Sequence, residues 1–118
     1  MSCRWFLALM SIGALPVEPA VAAPPDPFAT CGACHSTASG GASGIGPNLS
    51  GIVGAKAGMR PGYPSSAAMK ASGIIWSKAM LDRFLAAPTK VVPGTRMTIG
   101  VVDAARRQAI IAYLTTLK

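Results

Sequence analysis

The stretch TCGACHS, residues 30–36, holds two of the chain's three cysteines and its single histidine. Cys31, Cys34 and His35 stand at positions i, i+3 and i+4, which share one face of a helix. Two thiols there can bond to one edge of a flat group, while the imidazole approaches the group from below. A disulfide between Cys31 and Cys34 would close too small a loop to add much stability. The pattern therefore indicates one shared ligand for all three side chains.

Cys-x-x-Cys-His is the attachment pattern of c-type haem, and His35 would be the proximal ligand of its iron. A thioredoxin-like dithiol is an alternative, but it requires a βαβ setting that this sequence lacks. A zinc site is another alternative, although only Asp82 or Asp103 could complete the ligand set after the cysteines and the histidine. The motif favours one covalently bound haem c.

The second axial ligand of such an iron has to be sought among methionines, because there is no second histidine. Met97 is preferred, because it follows Pro-Gly-Thr and lies in a loop, where its thioether can approach an open ring face. The other candidates are Met59, Met69 and Met80. A methionine by default fills a gap in a hydrophobic core, and we expect that role for Met80. Ligation by His35 and Met97 would raise the reduction potential.

The N-terminal segment has the features of a secretory signal: a basic residue at Arg4, an apolar run, and small residues at the end. We expect cleavage after Ala22, leaving residues 23–118 as the mature domain. The apolar run is shorter than the roughly 20 residues of a spanning helix, so no stable membrane insertion is expected. The formal net charge stays at +7, because Arg4 and Glu18 leave together. No long basic run indicates nucleic-acid binding, so we expect an acidic protein partner.

Helix signals predict a small all-α domain with about four short helices and long loops wrapped around one covalently bound haem. Asp26-Pro27 indicates a helix start, and Asp103 is a second candidate cap. Long loops normally count against an assignment, but here a flat cofactor would give them a surface to pack on. The predicted helices are 26–35, 66–71 capped by Ser65, 78–86 capped by Ser77 and stopped by Pro88, and 104–117.

The whole mature chain resembles a class I cytochrome c of the mitochondrial or bacterial periplasmic kind. The resemblance rests on an ordered set of motifs: CGACH, GPNLSGIVG, GYPSSAAMKASGIIW, FLAAP, VPGTRM and IAYL. It implies that Cys31 and Cys34 bind haem covalently and that His35 and Met97 ligate its iron. It also implies that the Pro47 carbonyl accepts a hydrogen bond from His35, that Trp76 donates to a haem propionate, and that Thr95 lies near the inner propionate.

Four positions depart from the family pattern. Phe84 stands where members often have a tyrosine whose hydroxyl points at the methionine sulfur. Ala55, Ser65 and Met69 stand where members usually have the arginine, tyrosine and asparagine around a propionate. Hydrogen bonding to the propionates should therefore be sparser than in the family. We expect a short contact of Phe28 with Tyr113 and Leu114 to replace the usual crossing of the terminal helices.

The resemblance implies a soluble, monomeric periplasmic electron carrier and not an enzyme. Its iron would cycle between Fe(II) and Fe(III) as the protein carries electrons from one respiratory or photosynthetic partner to another. Such partners are a membrane cytochrome complex and a terminal oxidase or dehydrogenase. Two alternatives remain: a haem ligand-binding or weak peroxidase protein if Met97 is displaced, and an electron-transfer subunit of a periplasmic dehydrogenase. The candidate docking cations are Lys56, Lys70, Lys90 and Arg96.

Overall fold

The computed structural model describes residues 13–17 and 26–118, and the domain in the second range is helical. Its only β pairing is one isolated antiparallel bridge between Lys56 and Ile75. The predicted all-α class is confirmed, with one α-helix more than expected. The elements are α1 (Asp26–Ala29), a 3-10 turn (Cys31–Ala33), α2 (Ala67–Ala71), α3 (Lys78–Ala86), α4 (Pro88–Val91) and α5 (Ala104–Thr116).

Side-chain caps begin α2, α3 and α5, three of the four helices that follow the long central loop, residues 34–66. Ser77 Oγ accepts a hydrogen bond from the Met80 N–H at the start of α3, and an Asp103 oxygen does the same for α5. These caps satisfy backbone donors that have no partner inside the helix. The predicted cap of α2 was one residue out, because Ser66 and not Ser65 accepts from the Met69 N–H.

Two predicted helix boundaries were wrong. The expected helix 26–35 is divided into α1 and a 3-10 turn. The segment after α3 was predicted as loop, with Pro88 as a helix stop. Pro88 instead takes the first position of α4, where its missing N–H costs no intrahelical hydrogen bond.

The core joins the two ends of the domain. Phe28 on α1 is 2% exposed, and its ring centre lies 4.7 Å from that of Tyr113 on α5. The predicted contact between the terminal helices is therefore present through these two rings. On the other side of α5, α3 contributes Phe84, whose ring meets Trp76 edge to face at 4.9 Å. The domain thus closes around α5, with the central loop packed against Trp76.

Arg107 ties α5 to α3 and to the segment that follows Met97. Its Nε donates to Asp82 at 2.8 Å, and its Nη1 donates to the carbonyls of Val101 (3.0 Å) and Val102 (2.7 Å). The Val101 N–H in turn donates to the Leu85 carbonyl at 2.7 Å. The segment between Met97 and α5 is therefore held mainly by the Arg107 guanidinium.

Arg107→Ala should lower the free energy of unfolding by about 2 kcal/mol, because it leaves two loop carbonyls without their donor. Asp82→Ala should cost less than about 1 kcal/mol, since the partly exposed ion pair is screened by solvent. Denaturant unfolding of both haem-loaded variants measures the difference. Equal losses would show that the ion pair, not the carbonyl contacts, holds this segment.

The predicted signal, residues 1–22, lies outside the described residues except for 13–17, which are exposed coil. Among the helices that the structure describes, none combines the length and hydropathy of a membrane span.

Candidate functional site

The motif CGACH forms a tight backbone turn. The Cys31 carbonyl accepts from both the Cys34 N–H (3.0 Å) and the His35 N–H (2.9 Å), so the turn is part 3-10 and part α. Cys31, Cys34 and His35 are all partly buried, and both cysteines are free. The motif thus forms a single turn and not the longer helix that was expected.

The thiol chemistry of this turn does not match a reactive dithiol. Burial raises the pKa of the Cys31 thiol, and its backbone hydrogen bond and the positive charge of Arg106 offset only part of that rise. Redox dithiols depend on a lowered thiol pKa. Cys31 therefore lacks the lowered pKa that thiol exchange by a redox dithiol depends on.

The zinc alternative fails on the positions of the carboxylates. Asp82 is paired with Arg107, and Asp103 caps α5. Across the described residues, no group of three or more His, Cys, Asp or Glu side chains could hold a metal ion. Within residues 13–17 and 26–118, Cys31, Cys34 and His35 therefore have no fourth protein ligand for a tetrahedral site.

His35 is held by one hydrogen bond and one close backbone contact. Its Nδ1 lies 2.8 Å from the Pro47 carbonyl oxygen, so Nδ1–H donates and Nε2 is left with its lone pair. Such a partner fixes the tautomer and orientation of a ligating imidazole. Gly46 packs against the same ring: a Cβ at Gly46 would lie 2.4 Å from His35 Cε1. Position 46 therefore has room only for glycine.

Asn48 holds the loop that carries Gly46 and Pro47, a role that the sequence did not reveal. Its side chain is buried; Nδ2 donates to the carbonyls of Ala38 (2.9 Å) and Gly41 (3.1 Å), and Oδ1 accepts from the Ser50 N–H (2.8 Å). The Asn48 N–H donates to Ser43 Oγ at 3.0 Å. A buried amide with these partners makes the His35 support rigid.

The remaining predicted site residues lie on the loops around the core. Thr95 is 8% exposed, and its Oγ1 accepts from the Met97 N–H at 3.2 Å. Met97 is partly buried and packs against the core cluster. Trp76 is buried and its backbone pairs with Ala55, since the Trp76 N–H donates to the Ala55 carbonyl at 2.9 Å. Phe84 contacts Trp76 and carries no hydroxyl that could reach a methionine sulfur.

The central loop contains a cation that sequence reasoning missed. Arg60 Nη2 donates to the Ser50 carbonyl at 2.7 Å. Its Nε is buried and has no hydrogen-bond partner among the described residues. The basic residue itself was visible in the sequence, but only the fold shows that its head group turns inward.

These residues fit a covalently bound haem. Two free thiols lie on the same turn as an imidazole whose Nδ1 is bonded to Pro47, and a cleft of about 360 Å³ opens along Cys34 and His35. A buried guanidinium N–H without a partner requires an anion or acceptor, which a haem carboxylate supplies. The lining of the cleft includes Gly32, Ala33, Cys34, His35, Ser43, Gly44 and Ile45.

The model of the Cytochrome c family matches residues 27–118. The chain belongs to the cytochrome c family. As in the rest of that family, one haem c with its iron is the cofactor, and the protein is a monohaem electron carrier and not an enzyme.

The similar proteins agree with this membership. The chain is 43% identical over 90 residues to cytochrome c2 of Rhodomicrobium vannielii, covering 75% of this chain and 72% of that protein. It is 44% identical over 99 residues to cytochrome c2 iso-1 of Magnetospirillum molischianum, covering 81% and 98%. A solved structure, cytochrome cH from Methylobacterium extorquens, superposes with a TM-score of 0.71 at 48% identity, covering 76% and 91%. The small cytochrome c fold is thereby confirmed.

Proposed function

We propose that this cytochrome c is a periplasmic electron shuttle whose iron is ligated by His35 and Met97. The observation that supports this most strongly is the hydrogen bond from His35 Nδ1 to the Pro47 carbonyl, because it presents Nε2 as a ligand. When bound, haem c supplies a one-electron couple. Cys31 and Cys34 would hold it through thioethers, so that it stays attached in an exported protein.

The surrounding residues would keep the same ligands in both oxidation states. The contact of Gly46 with the His35 ring and the Asn48 network resist rotation of the imidazole. On the other side, Thr95 Oγ1 restrains the Met97 backbone. Little movement between two states makes electron transfer fast, because few groups have to reorganise. Trp76 and Thr95 are proposed to bind the propionates.

Partner docking is proposed to be electrostatic, with acidic redox proteins such as a membrane cytochrome complex and a terminal oxidase or dehydrogenase. Lys56, Lys70 and Lys90 are exposed. Arg96 is exposed too, but its Nη1 donates to the Pro64 carbonyl at 2.6 Å, so it also fixes the central loop. With a net charge of +7, the protein should attract anionic partners.

Oxidation of the ferrous protein by anionic hexacyanoferrate(III) should slow roughly tenfold between about 10 mM and about 0.5 M salt, because salt screens the attraction. Oxidation by the cationic tris(phenanthroline)cobalt(III) should accelerate over the same range. Stopped-flow absorbance measures both rates. The same salt dependence for both oxidants would contradict electrostatic docking at the electron-transfer site.

We propose that the N-terminal segment directs export of the protein to the periplasm. Expression in a bacterium with a periplasmic haem-attachment system should give a periplasmic protein that begins at Ala23, and intact mass spectrometry should find residues 23–118 plus one haem. A haem-loaded chain that retains residues 1–22 in the membrane fraction would contradict both the cleavage and the soluble shuttle.

A further inference from the structure

Arg60 closes a loop, residues 50–60, whose middle residue is Ala55. Its backbone lies five residues after Ala55, but its head group returns to the carbonyl of Ser50, five residues before Ala55. Between Ser50 and Ala55 the chain makes two tight turns, with the Ile52 N–H bonded to the Leu49 carbonyl and the Ala55 N–H to the Ile52 carbonyl. The guanidinium therefore bridges the two ends of the segment that contains Ala55.

The same loop is joined directly to Trp76, the proposed propionate donor. The Gly54 N–H donates to the Trp76 carbonyl at 2.8 Å, and the Trp76 N–H donates to the Ala55 carbonyl at 2.9 Å. Two further side-chain bonds fix the following segment, from Tyr63 Oη to the Ile45 carbonyl at 2.9 Å and from Arg96 to Pro64. Arg60 thus belongs to a fixed loop and not to a free surface.

The charge of Arg60 has no counter-ion among the described residues. The only ion pair there joins Asp82 to Arg107, and the buried Arg60 Nε has no hydrogen-bond partner of any kind. A buried donor or charge without a partner costs free energy. A carboxylate would satisfy it, since the guanidinium fork matches the two oxygens of a carboxylate.

We propose that Arg60 binds a haem propionate and takes the part of the arginine that the family carries at the position of Ala55. This inference rests on the proposed function, since it requires the attached haem. It revises the expectation that hydrogen bonding to the propionates is sparser at Ala55 than in the family. The proposed cation stands five residues later in the sequence than Ala55, the position of the family arginine. Its guanidinium nevertheless bonds to Ser50, at the start of the turns that contain Ala55.

The test follows the reduction potential of the haem-loaded protein from pH 4 to pH 9. A cation beside a propionate keeps the propionate ionised, and removing it raises the pKa of that group by about one unit or more. Because the ionised carboxylate stabilises the ferric form, the potential falls as pH rises through that pKa. Arg60→Gln should therefore move this fall to higher pH by at least about one unit. Lys78→Gln, which removes an exposed charge at the start of α3, should leave it unchanged.

Two further variants separate charge from loop structure. Arg60→Lys keeps the charge and should move the profile by less than half as much as Arg60→Gln. Ala55→Arg added to Arg60→Gln should restore the wild-type profile, which a purely structural role of Arg60 would not predict. The proposal is overturned if Arg60→Gln and Lys78→Gln give the same profile, or if Ala55→Arg does not restore it. Absence from the wild type of the weak near-infrared band of methionine-ligated ferric haem would instead contradict the proposed iron ligands.

Discussion

The Met97→Ala variant of the haem-loaded protein is expected to have a reduction potential lower by roughly 0.2 V, within the ~0.8 V range that axial ligands cover. A thioether is a soft ligand that favours the ferrous state, and its replacement by water or hydroxide favours the ferric state. Met97 is the methionine to test, because its loop is restrained by Thr95 on one side and by Arg107 on the other. Potentiometric titration of wild type and variant measures the fall.

The matched control is Met80→Ala. Met80 lies on the helix α3 and, like Met97, is partly buried and packed against the core. Its loss should lower stability without changing the potential by more than a small fraction of the Met97 effect. A large fall in Met80→Ala, or none in Met97→Ala, would contradict Met97 as the ligand. Imidazole should bind ferric Met97→Ala without first displacing a protein ligand.

The Gly46→Ala variant is expected to lose about 3 kcal/mol of unfolding free energy, at the upper end of the cost of overpacking. The added Cβ would lie 2.4 Å from His35 Cε1 and 2.7 Å from His35 Nδ1. Relief requires either rotation of the imidazole, which breaks the hydrogen bond to Pro47, or movement of the loop fixed by Asn48. Both changes weaken the position of the proposed iron ligand, so the potential should change as well.

Gly32→Ala is the control, since it adds the same methyl group within the attachment motif and would meet nothing within 4 Å. Its unfolding free energy should stay within about 0.5 kcal/mol of wild type. Denaturant unfolding followed by haem absorbance measures both variants. Equal stability of the two would show that the His35 ring can adjust and that its support is less rigid than the structure indicates.

Much of the local structure was predictable because it depends on neighbours in the sequence. Ser77 and Asp103 cap helices through bonds to the N–H group three residues on, and Cys31, Cys34 and His35 need only one turn to share a face. The errors in the predicted helices occurred where the sequence allows two local backbone structures of similar free energy. Ser65 and Ser66 are equivalent as caps in a sequence pattern, and Pro88 can end one helix and begin the next.

Long-range contacts account for what the sequence did not reveal. The inward turn of Arg60 depends on the Ser50 carbonyl, and the role of Asn48 depends on the path of residues 38–50. Gly46 leaves the space that the imidazole of His35 needs, because an added Cβ would meet that ring. Each of these depends on a tertiary contact that no periodicity or motif spacing encodes.

The near-infrared absorption of the ferric wild-type protein tests the central claim most directly, because a weak charge-transfer band there is characteristic of methionine-ligated ferric haem. The account predicts that the band is present at neutral pH, persists in Met80→Ala, and is absent from Met97→Ala. A wild-type protein without the band, with a high-spin spectrum that changes at once on adding cyanide, would contradict the His35 and Met97 shuttle and favour a ligand-binding protein.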